Sequence, residues 1–137
     1  MPISVKRHFV VGWGDCAPSG AVYYPNYFRW FDQSMWALFE ENGAPIPELE
    51  RKYHNVGVPL RGLECEFAAP CRLHDRVLLE SRFVKVEEKD FEIVHELTRE
   101  GTLLVRGRDF RFWGVRAPES GKLRREAIPA EVLSKLR

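Results

Sequence analysis

A tight turn that runs directly into a long helix constrains this chain more than any other feature. The turn lies in residues 14–27, which read G-D-C-A-P-S-G-A-V-Y-Y-P-N-Y. Pro25 suits the first helical position because its missing N–H would have no partner within the helix there. Tyr24 or Asn26 therefore lies at the start of the helix, where free backbone N–H groups can bind an anion or a polarised oxygen.

The helix predicted after this turn is long and has one apolar face. A helix of about 18 residues is roughly 27 Å long at 1.5 Å per residue. One small sheet cannot cover a helix so rich in Trp and Phe on all sides, so we expect apolar surface to remain for a partner chain. The apolar residues recur at helical spacing and stop before Gly43; they are Tyr27, Trp30, Phe31, Met35, Leu38 and Phe39.

Segments with strand character occupy much of the remaining chain. Short polar connectors of hairpin size separate the last three segments, which predicts an antiparallel meander of hairpins. In the fourth segment the alternation places Glu92 and Glu96 towards water. This pattern alone predicts an α+β protein. The strand-like segments are residues 6–13, 58–67, 76–87, 91–99 and 103–113.

Two other regions have helical character. Residues 48–54 fit either a short helical turn or an irregular crossing. Pro129 marks the start of a short terminal helix, because proline is favoured at a helix start. The predicted apolar face of this terminal helix comprises Val132, Leu133 and Leu136.

Composition predicts one globular domain over residues 1–137, of which 45% are hydrophobic. The formal charge is +1, from 21 basic and 20 acidic residues. A chain with so little net charge has no global field that would draw it to nucleic acid or to a membrane surface. No apolar run approaches the roughly 20 residues that span a bilayer, and the start lacks a secretory leader pattern. We therefore expect a cytoplasmic protein.

Neither a metal nor another cofactor is predicted. Cys16, Cys65 and Cys71 form an odd set without C-x-x-C spacing, which argues against a disulfide framework and against a zinc site. The four histidines are scattered singly along the chain. None of them stands at the spacing of metal ligands.

The turn and helix start resemble those of the 4-hydroxybenzoyl-CoA thioesterase family of hotdog-fold proteins. This resemblance implies an α+β hotdog fold, in which one long central helix is wrapped by a mostly antiparallel five-stranded sheet. It also implies hydrolysis of an acyl-CoA or aromatic acyl-CoA, such as 4-hydroxybenzoyl-CoA, to free acid and CoA. The implied assembly is a homodimer whose sheets join edge to edge, often packed as a dimer of dimers. The similarity continues more weakly through Arg29-Trp30, Asp32, the region of Phe67, residues 89–91 and residues 129–130.

The chain departs from the family at one position of the turn. Family members read G-D-C-D-P-A-G there, and the carboxylate credited with the chemistry is the second acid, where this chain has Ala17. The first acid, Asp15, is retained. Asp15 is either a displaced nucleophile or general base, or a turn acid that binds neighbouring N–H groups. A shift of two residues in an extended segment moves a side chain by about 6.6 Å, which disfavours the catalytic interpretation.

The resemblance also assigns roles to other residues. The backbone N–H of Tyr24 would donate to the oxyanion of the reacting carbonyl; the alternative is a packed cap residue. Asp32 would line the acyl pocket, where it binds a polar acyl group or orients water; the alternative is an i, i+3 surface pair with Arg29. Lys89 would contact the CoA nucleotide, or it is an ordinary solvated hairpin residue. The remaining substrate-binding positions are Ala17, Gly20, Val22 and Tyr23.

Three functions remain open at this point. The favoured one is acyl-CoA hydrolysis. The second is a hotdog domain that binds acyl-CoA or acyl-carrier-protein thioesters without hydrolysing them, because the family's aspartate is replaced at Ala17. The third is an enzyme that performs different thioester chemistry in the same cleft.

Overall fold

A five-stranded antiparallel sheet and one long helix packed against it form the body of the protein, in a computed structural model that describes residues 3–137. The strand order in this sheet is β1-β3-β4-β5-β2. The helices are α1 (Pro25–Glu41), α2 (Ile46–Tyr53) and α3 (Ala130–Leu136). The strands are β1 (Ser4–Val10), β2 (Leu60–Phe67), β3 (Arg76–Val86), β4 (Asp90–Arg99), β5 (Thr102–Phe112), β6 (Gly114–Arg116) and β7 (Leu123–Arg125).

Helix α1 begins and packs as its sequence predicts. Tyr24 is the N-cap residue and Pro25 occupies the first helical position. All six residues of the predicted apolar face are at most 5% exposed. The first half of the helix packs into one apolar cluster and the second half into another, so α1 is central to the core.

The predicted meander is only partly correct. Strands β3, β4 and β5 do follow one another as hairpins, but β2 pairs with β5, and β1 pairs with β3. Strand β2 therefore lies at one edge of the sheet. Between Phe67 and Arg76 the chain crosses to β3, which lies next to the opposite edge strand, β1. The hairpin rule fails here because the segment 68–75 is too long to be a tight turn; it instead pairs with the turn before α1 through the bridge between Ala21 and Arg72.

Several element boundaries also differ from the prediction. The first strand ends at Val10, and Trp13–Asp15 forms a single 3₁₀ turn, because the Asp15 carboxylate accepts from the Gly12 N–H at 3.1 Å and closes that turn. Residues 46–53 form a regular helix rather than an irregular crossing. The small hairpin of β6 and β7 was not predicted. In α3, Val132 and Leu136 are buried as expected, and Leu133 is partly buried.

The sheet face opposite α1 is covered with charges. One row crosses all five strands in register; from β1 to β2 it reads Lys6, Glu80, Glu96, Arg106 and Glu66. Glu92 lies on the same face but is only 9% exposed. The expectation that Glu92 faces open water is thus wrong, because the side chains of Lys85 and Arg108 pair with it and cover it.

Within residues 3–137, no helix combines the length and the apolar character needed to cross a membrane.

Candidate active site

The turn before α1 is a narrow loop tied to the helix start. The Ala17 N–H donates to the Ala21 carbonyl at 2.8 Å, and the Gly20 N–H donates back to the Ala17 carbonyl at 2.9 Å. Gly20 has a φ of 86°, a conformation that a glycine adopts without strain. The Asp15 carbonyl then accepts from the Tyr23 N–H at 2.9 Å. The loop and the start of α1 therefore form one rigid unit.

The backbone N–H of Tyr24 lies at the helix start and is free for a ligand. No backbone carbonyl in the described part of the chain accepts a hydrogen bond from it. The rings of Tyr23 and Tyr24 beside it are 55% and 58% exposed. A free N–H at the positive end of a helix dipole is suited to hold a developing oxyanion.

The side chain of Asp15 is engaged in holding the turn. One carboxylate oxygen accepts from the Gly12 N–H at 3.1 Å, and the other accepts from the Arg29 guanidinium at 2.7 Å. In this geometry both oxygens have donors, as expected for a turn acid. Arg29 thus binds Asp15, rather than forming the i, i+3 pair with Asp32 that the sequence offered as an alternative.

Asp32 lies at a small pocket between α1 and β2. The Asp32 side chain is 57% exposed and accepts from Arg111 at 3.3 Å. On a helix, residues 24, 28 and 32 lie on one face, so Asp32 is on the face that begins at Tyr24, about 12 Å further along the axis. The pocket has a volume of about 100 Å³ and is lined by Phe28, Phe31, Asp32, Leu60, Leu63, Asp109 and Arg111.

A chain of buried polar side chains crosses the core behind this pocket, and sequence reasoning did not identify it. Ser34 and Ser81 are joined by an Oγ to Oγ contact of 2.6 Å, and Ser81 Oγ lies 2.6 Å from His95 Nδ1. His95 Nε2 lies 3.0 Å from Asp109 Oδ2, which also accepts from Arg111 Nε at 2.9 Å. These side chains connect the middle of the core to the pocket.

The charge of Asp109 is stabilised although the residue is buried. Burial raises the pKa of the Asp109 carboxyl, but the hydrogen bond and charge of His95, together with those of Arg111, outweigh this effect. The net result is a pKa below the ordinary value. Asp109 therefore stays ionised at neutral pH and holds Arg111 in place.

The ring of Phe31 fixes the geometry between the pocket and this polar chain. It stacks on the His95 ring with a centroid distance of 4.8 Å and an interplanar angle of 5°. Gly107 allows this, because a Cβ at that position would stand 2.5 Å from a carbon of the Phe31 ring. The signal in the sequence was a glycine inside a strand, which often marks a close approach.

The other predicted binding residues are distributed unevenly. Ala17, Gly20 and Tyr23 belong to the turn, but the Val22 side chain is 8% exposed and packs in the core, which leaves only its backbone for a ligand. Lys89 lies in the turn between β3 and β4, near the start of β2 rather than near Tyr24.

Neither metal chemistry nor thiol chemistry has support among the described residues. In the part of the chain that the structure describes, no group of three His, Cys, Asp or Glu side chains is placed to hold a metal ion. All three cysteines are free thiols. Burial raises the pKa of Cys71 to about 11, so this thiol is un-ionised and inert at neutral pH.

Comparison with known proteins agrees with this geometry. Residues 11–136 match the sequence profile of the Thioesterase-like superfamily. The chain belongs to this superfamily. It is 27% identical to the 4-hydroxybenzoyl-CoA thioesterase of Pseudomonas sp. (strain CBS-3), over 97% of both chains. The predicted resemblance is thereby confirmed.

Solved structures of two related enzymes have the same fold. An aspartate-to-asparagine mutant of 4-hydroxybenzoyl-CoA thioesterase, complexed with 4-hydroxybenzoyl-CoA, superposes with a TM-score of 0.89 at 25% identity, covering 98% of this chain and 99% of that chain. A gentisyl-coenzyme A thioesterase superposes with a TM-score of 0.79 at 28% identity, covering 96% and 98%. The predicted α+β hotdog fold with a five-stranded antiparallel sheet is confirmed.

Proposed function

We propose that this superfamily member is an acyl-CoA thioesterase that hydrolyses an aromatic acyl-CoA to the free acid and CoA. The observation that carries this proposal is the free N–H of Tyr24 at the start of α1, on the helix face that leads to a pocket lined by Phe28 and Phe31. Two relatives named for the hydrolysis of aromatic acyl-CoA thioesters share the fold over nearly the whole chain.

The reaction needs an oxyanion donor and gains from a carboxylate near the attacking water. Water adds to the thioester carbonyl, the carbonyl oxygen accepts from the Tyr24 N–H, and the C–S bond then breaks while the sulfur takes up a proton. Ala17 supplies no carboxylate, and Asp15 uses both oxygens to hold the turn. Asp32 lies on the same helix face as Tyr24 but about 12 Å further along the axis, too far to touch a water that attacks a carbonyl held at Tyr24, so we assign Asp32 to binding the acyl group. Water then adds without a carboxylate beside it.

The pocket favours an aromatic acyl group over a long aliphatic chain. Its volume of about 100 Å³ suits a group of ring size. The rings of Phe28 and Phe31 form its wall on α1, and Leu60 and Leu63 form its wall on β2. Aromatic rings gain from edge-to-face contacts beyond the area that they bury.

Basic residues gather where the CoA phosphates could bind. Lys89 lies next to Asp90, whose carboxylate is 4.0 Å from Arg61 and 3.4 Å from Arg125. From Arg61 to Phe67, beside the helix start, β2 extends about 20 Å at 3.3 Å per residue. The CoA arm and the acyl arm of a thioester leave the carbonyl in different directions, so we propose that this cluster binds the phosphates of a CoA whose carbonyl lies at Tyr24 of a second copy of the chain.

We propose a homodimer joined along β2, and a dimer of dimers built from it. Strand β2 is an edge strand with unpaired backbone groups on its outer side. Its apolar side chains Leu60, Leu63 and Phe67 are 46%, 38% and 56% exposed. A second copy pairing along this edge would cover them and close the pocket at Leu60 and Leu63.

Three free thiols fit a cytoplasmic location, where disulfides are rare.

The second candidate is a domain that binds acyl-CoA or acyl-carrier-protein thioesters without hydrolysis. Two observations favour it: the methyl group of Ala17 at the family's carboxylate position and the full engagement of the Asp15 oxygens. This candidate keeps the binding role of Tyr24 and removes the chemical step.

The two candidates separate in one experiment. Purified protein is incubated with benzoyl-CoA, 4-hydroxybenzoyl-CoA and octanoyl-CoA while free thiol is followed, and binding of the corresponding thioether analogues is measured by calorimetry. Thiol release above background, fastest with the aromatic thioesters, supports the thioesterase. Binding without release establishes the second candidate, and the absence of both contradicts either function.

A further inference from the structure

The buried polar chain has no part in the proposed thioester chemistry, yet it is costly to keep in a core. Buried polar and charged groups are destabilising unless every member has a partner, and well-packed apolar residues often give at least equal stability. Here His95 has partners at both ring nitrogens, Ser81 on one side and Asp109 on the other. This series of buried polar side chains ends at the guanidinium of Arg111, which lines the pocket. Its position there points to a role for Arg111.

Arg111 is held on three sides. Its Nε donates to Asp109 at 2.9 Å, its Nη1 donates to the Val58 carbonyl at 3.0 Å, and its Nη2 donates to Asp32 at 3.3 Å. The first two acceptors are buried, whereas Asp32 is 57% exposed. A planar guanidinium fixed by two buried acceptors presents its remaining N–H groups in one direction. Arg111 is therefore a rigid donor, and Asp32 is the movable partner.

The local charge balance limits which acyl groups the pocket favours. Buried Asp109 is paired with both Arg111 and His95, so the exposed charge at the pocket is the carboxylate of Asp32. An anionic substituent in the pocket would meet like charge. A neutral hydroxyl can donate to the exposed carboxylate instead, since that carboxylate has lone pairs beyond the one that faces Arg111.

We propose that Arg111 is a positioning residue: held by the His95–Asp109 pair, it orients the Asp32 carboxylate so that Asp32 accepts a hydrogen bond from a hydroxyl at the far end of the acyl group. This proposal rests on the proposed binding of acyl-CoA. The buried polar side chains then influence which acyl group binds, and they do so only through Asp32.

A double-mutant cycle tests this role. The variants are Arg111→Lys, Asp32→Asn and the double variant, each assayed with benzoyl-CoA and 4-hydroxybenzoyl-CoA. The readouts are kcat/KM and the affinity for the two thioether analogues, so the test applies whether or not the protein hydrolyses its ligand. Arg108→Lys is the matched control, because it makes the same change on the same strand but on the opposite face of the sheet, where Arg108 pairs with Glu92.

We expect Arg111→Lys to weaken binding or turnover of the hydroxylated ligand by about 10-fold or more, the range for a hydrogen bond to a charged group. Benzoyl ligands should change less than about 2-fold, and Arg111→Lys should have no further effect in the Asp32→Asn background. Arg108→Lys should leave both ligands unchanged. If Arg111→Lys does not fold, Asp109→Asn takes its place in the same cycle.

Two results would overturn the proposal. One is an equal loss for both ligands with a matching fall in the urea midpoint, which indicates a purely structural Arg111. The other is additivity with Asp32→Asn. Failure of the proposed function gives a different result. If wild-type protein discriminates between the analogues but releases no thiol, it is not a hydrolase, and the positioning role of Arg111 still stands. If it binds neither analogue, both proposals are refuted.

Discussion

Replacing Gly107 by alanine should be among the more damaging single-methyl additions in this protein. The added Cβ would lie 2.5 Å and 2.8 Å from two carbons of the Phe31 ring, closer than any relaxed contact. Phe31 has little room to move, because it is 2% exposed and stacks on His95. Overpacking of this kind costs about 1–3 kcal/mol.

The assay is urea unfolding followed by tryptophan fluorescence. A loss of about 2 kcal/mol, with a slope of about 2 kcal/mol/M, lowers the unfolding midpoint by roughly 1 M. Gly62→Ala is the matched control, since its Cβ would meet Phe110 at an ordinary 3.5 Å; its midpoint should change little. In the double variant Gly107→Ala/Phe31→Leu, the smaller leucine side chain should recover part of the lost stability.

Equal midpoints for Gly107→Ala and Gly62→Ala would refute the reasoning. The same conclusion follows if Phe31→Leu and Gly107→Ala prove strictly additive, because residues that clash must couple. A clash that shifts Phe31 should also reduce affinity for aromatic acyl-CoA, since this ring forms one wall of the pocket.

Further outcomes are expected at other positions. If the turn places residue 17 against the thioester, as the family resemblance implies, Ala17→Asp should raise thiol release by about 10²- to 10⁴-fold, while Ser19→Asp, the same charge in the same loop, should not. Leu63→Arg on the edge of β2 should convert the oligomer to monomer in light scattering; a wild-type monomer at micromolar concentration would contradict the proposed dimer. Because the folded-state pKa of Asp109 is lowered, its ionised form stabilises the fold above its ordinary pKa of about 4, and this contribution is lost as pH falls through the lower folded value. Wild-type protein should therefore lose more stability than Asp109→Asn between pH 7 and pH 3 in urea titrations. A chelator should leave turnover unchanged, and loss of turnover that zinc restores would overturn the metal-free mechanism.

Short-range patterns in the sequence correctly predicted the long helix α1. The apolar period from Tyr27 to Phe39 identified α1, and Pro25 located its start, because both signals act within one or two turns of helix. The neighbour of β2 was not predictable in this way. Pairing between Cys65 and Gly107 joins residues far apart in the chain, and alternation in each strand does not say which strand lies beside it.

The candidate site was predictable only where the family motif covers it. The position of Tyr24 follows from the turn, but the partners of Asp15 and Asp32 do not. Arg29 satisfied the helical spacing for Asp32, yet the 3₁₀ turn brings Asp15 closer to it. His95 and Asp109 each read as one more inward-facing strand residue, and only the register of β4 against β5 brings them together.

The charged row on the outer face of the sheet does not set the alignment of the strands. A slip of two residues is the smallest shift that keeps core side chains facing inward. Such a slip between β4 and β5 would replace the native pair of Arg106 and Glu96 by Arg108 opposite Glu96 or by Arg108 opposite Glu92, so the charges on this face tolerate it. The inner face does not, because only the native register brings His95 Nε2 to 3.0 Å from Asp109 and places Gly107 against the Phe31 ring. Strand alignment therefore depends on buried groups that dissolved salt screens little, and the yield of refolding should not fall at high ionic strength.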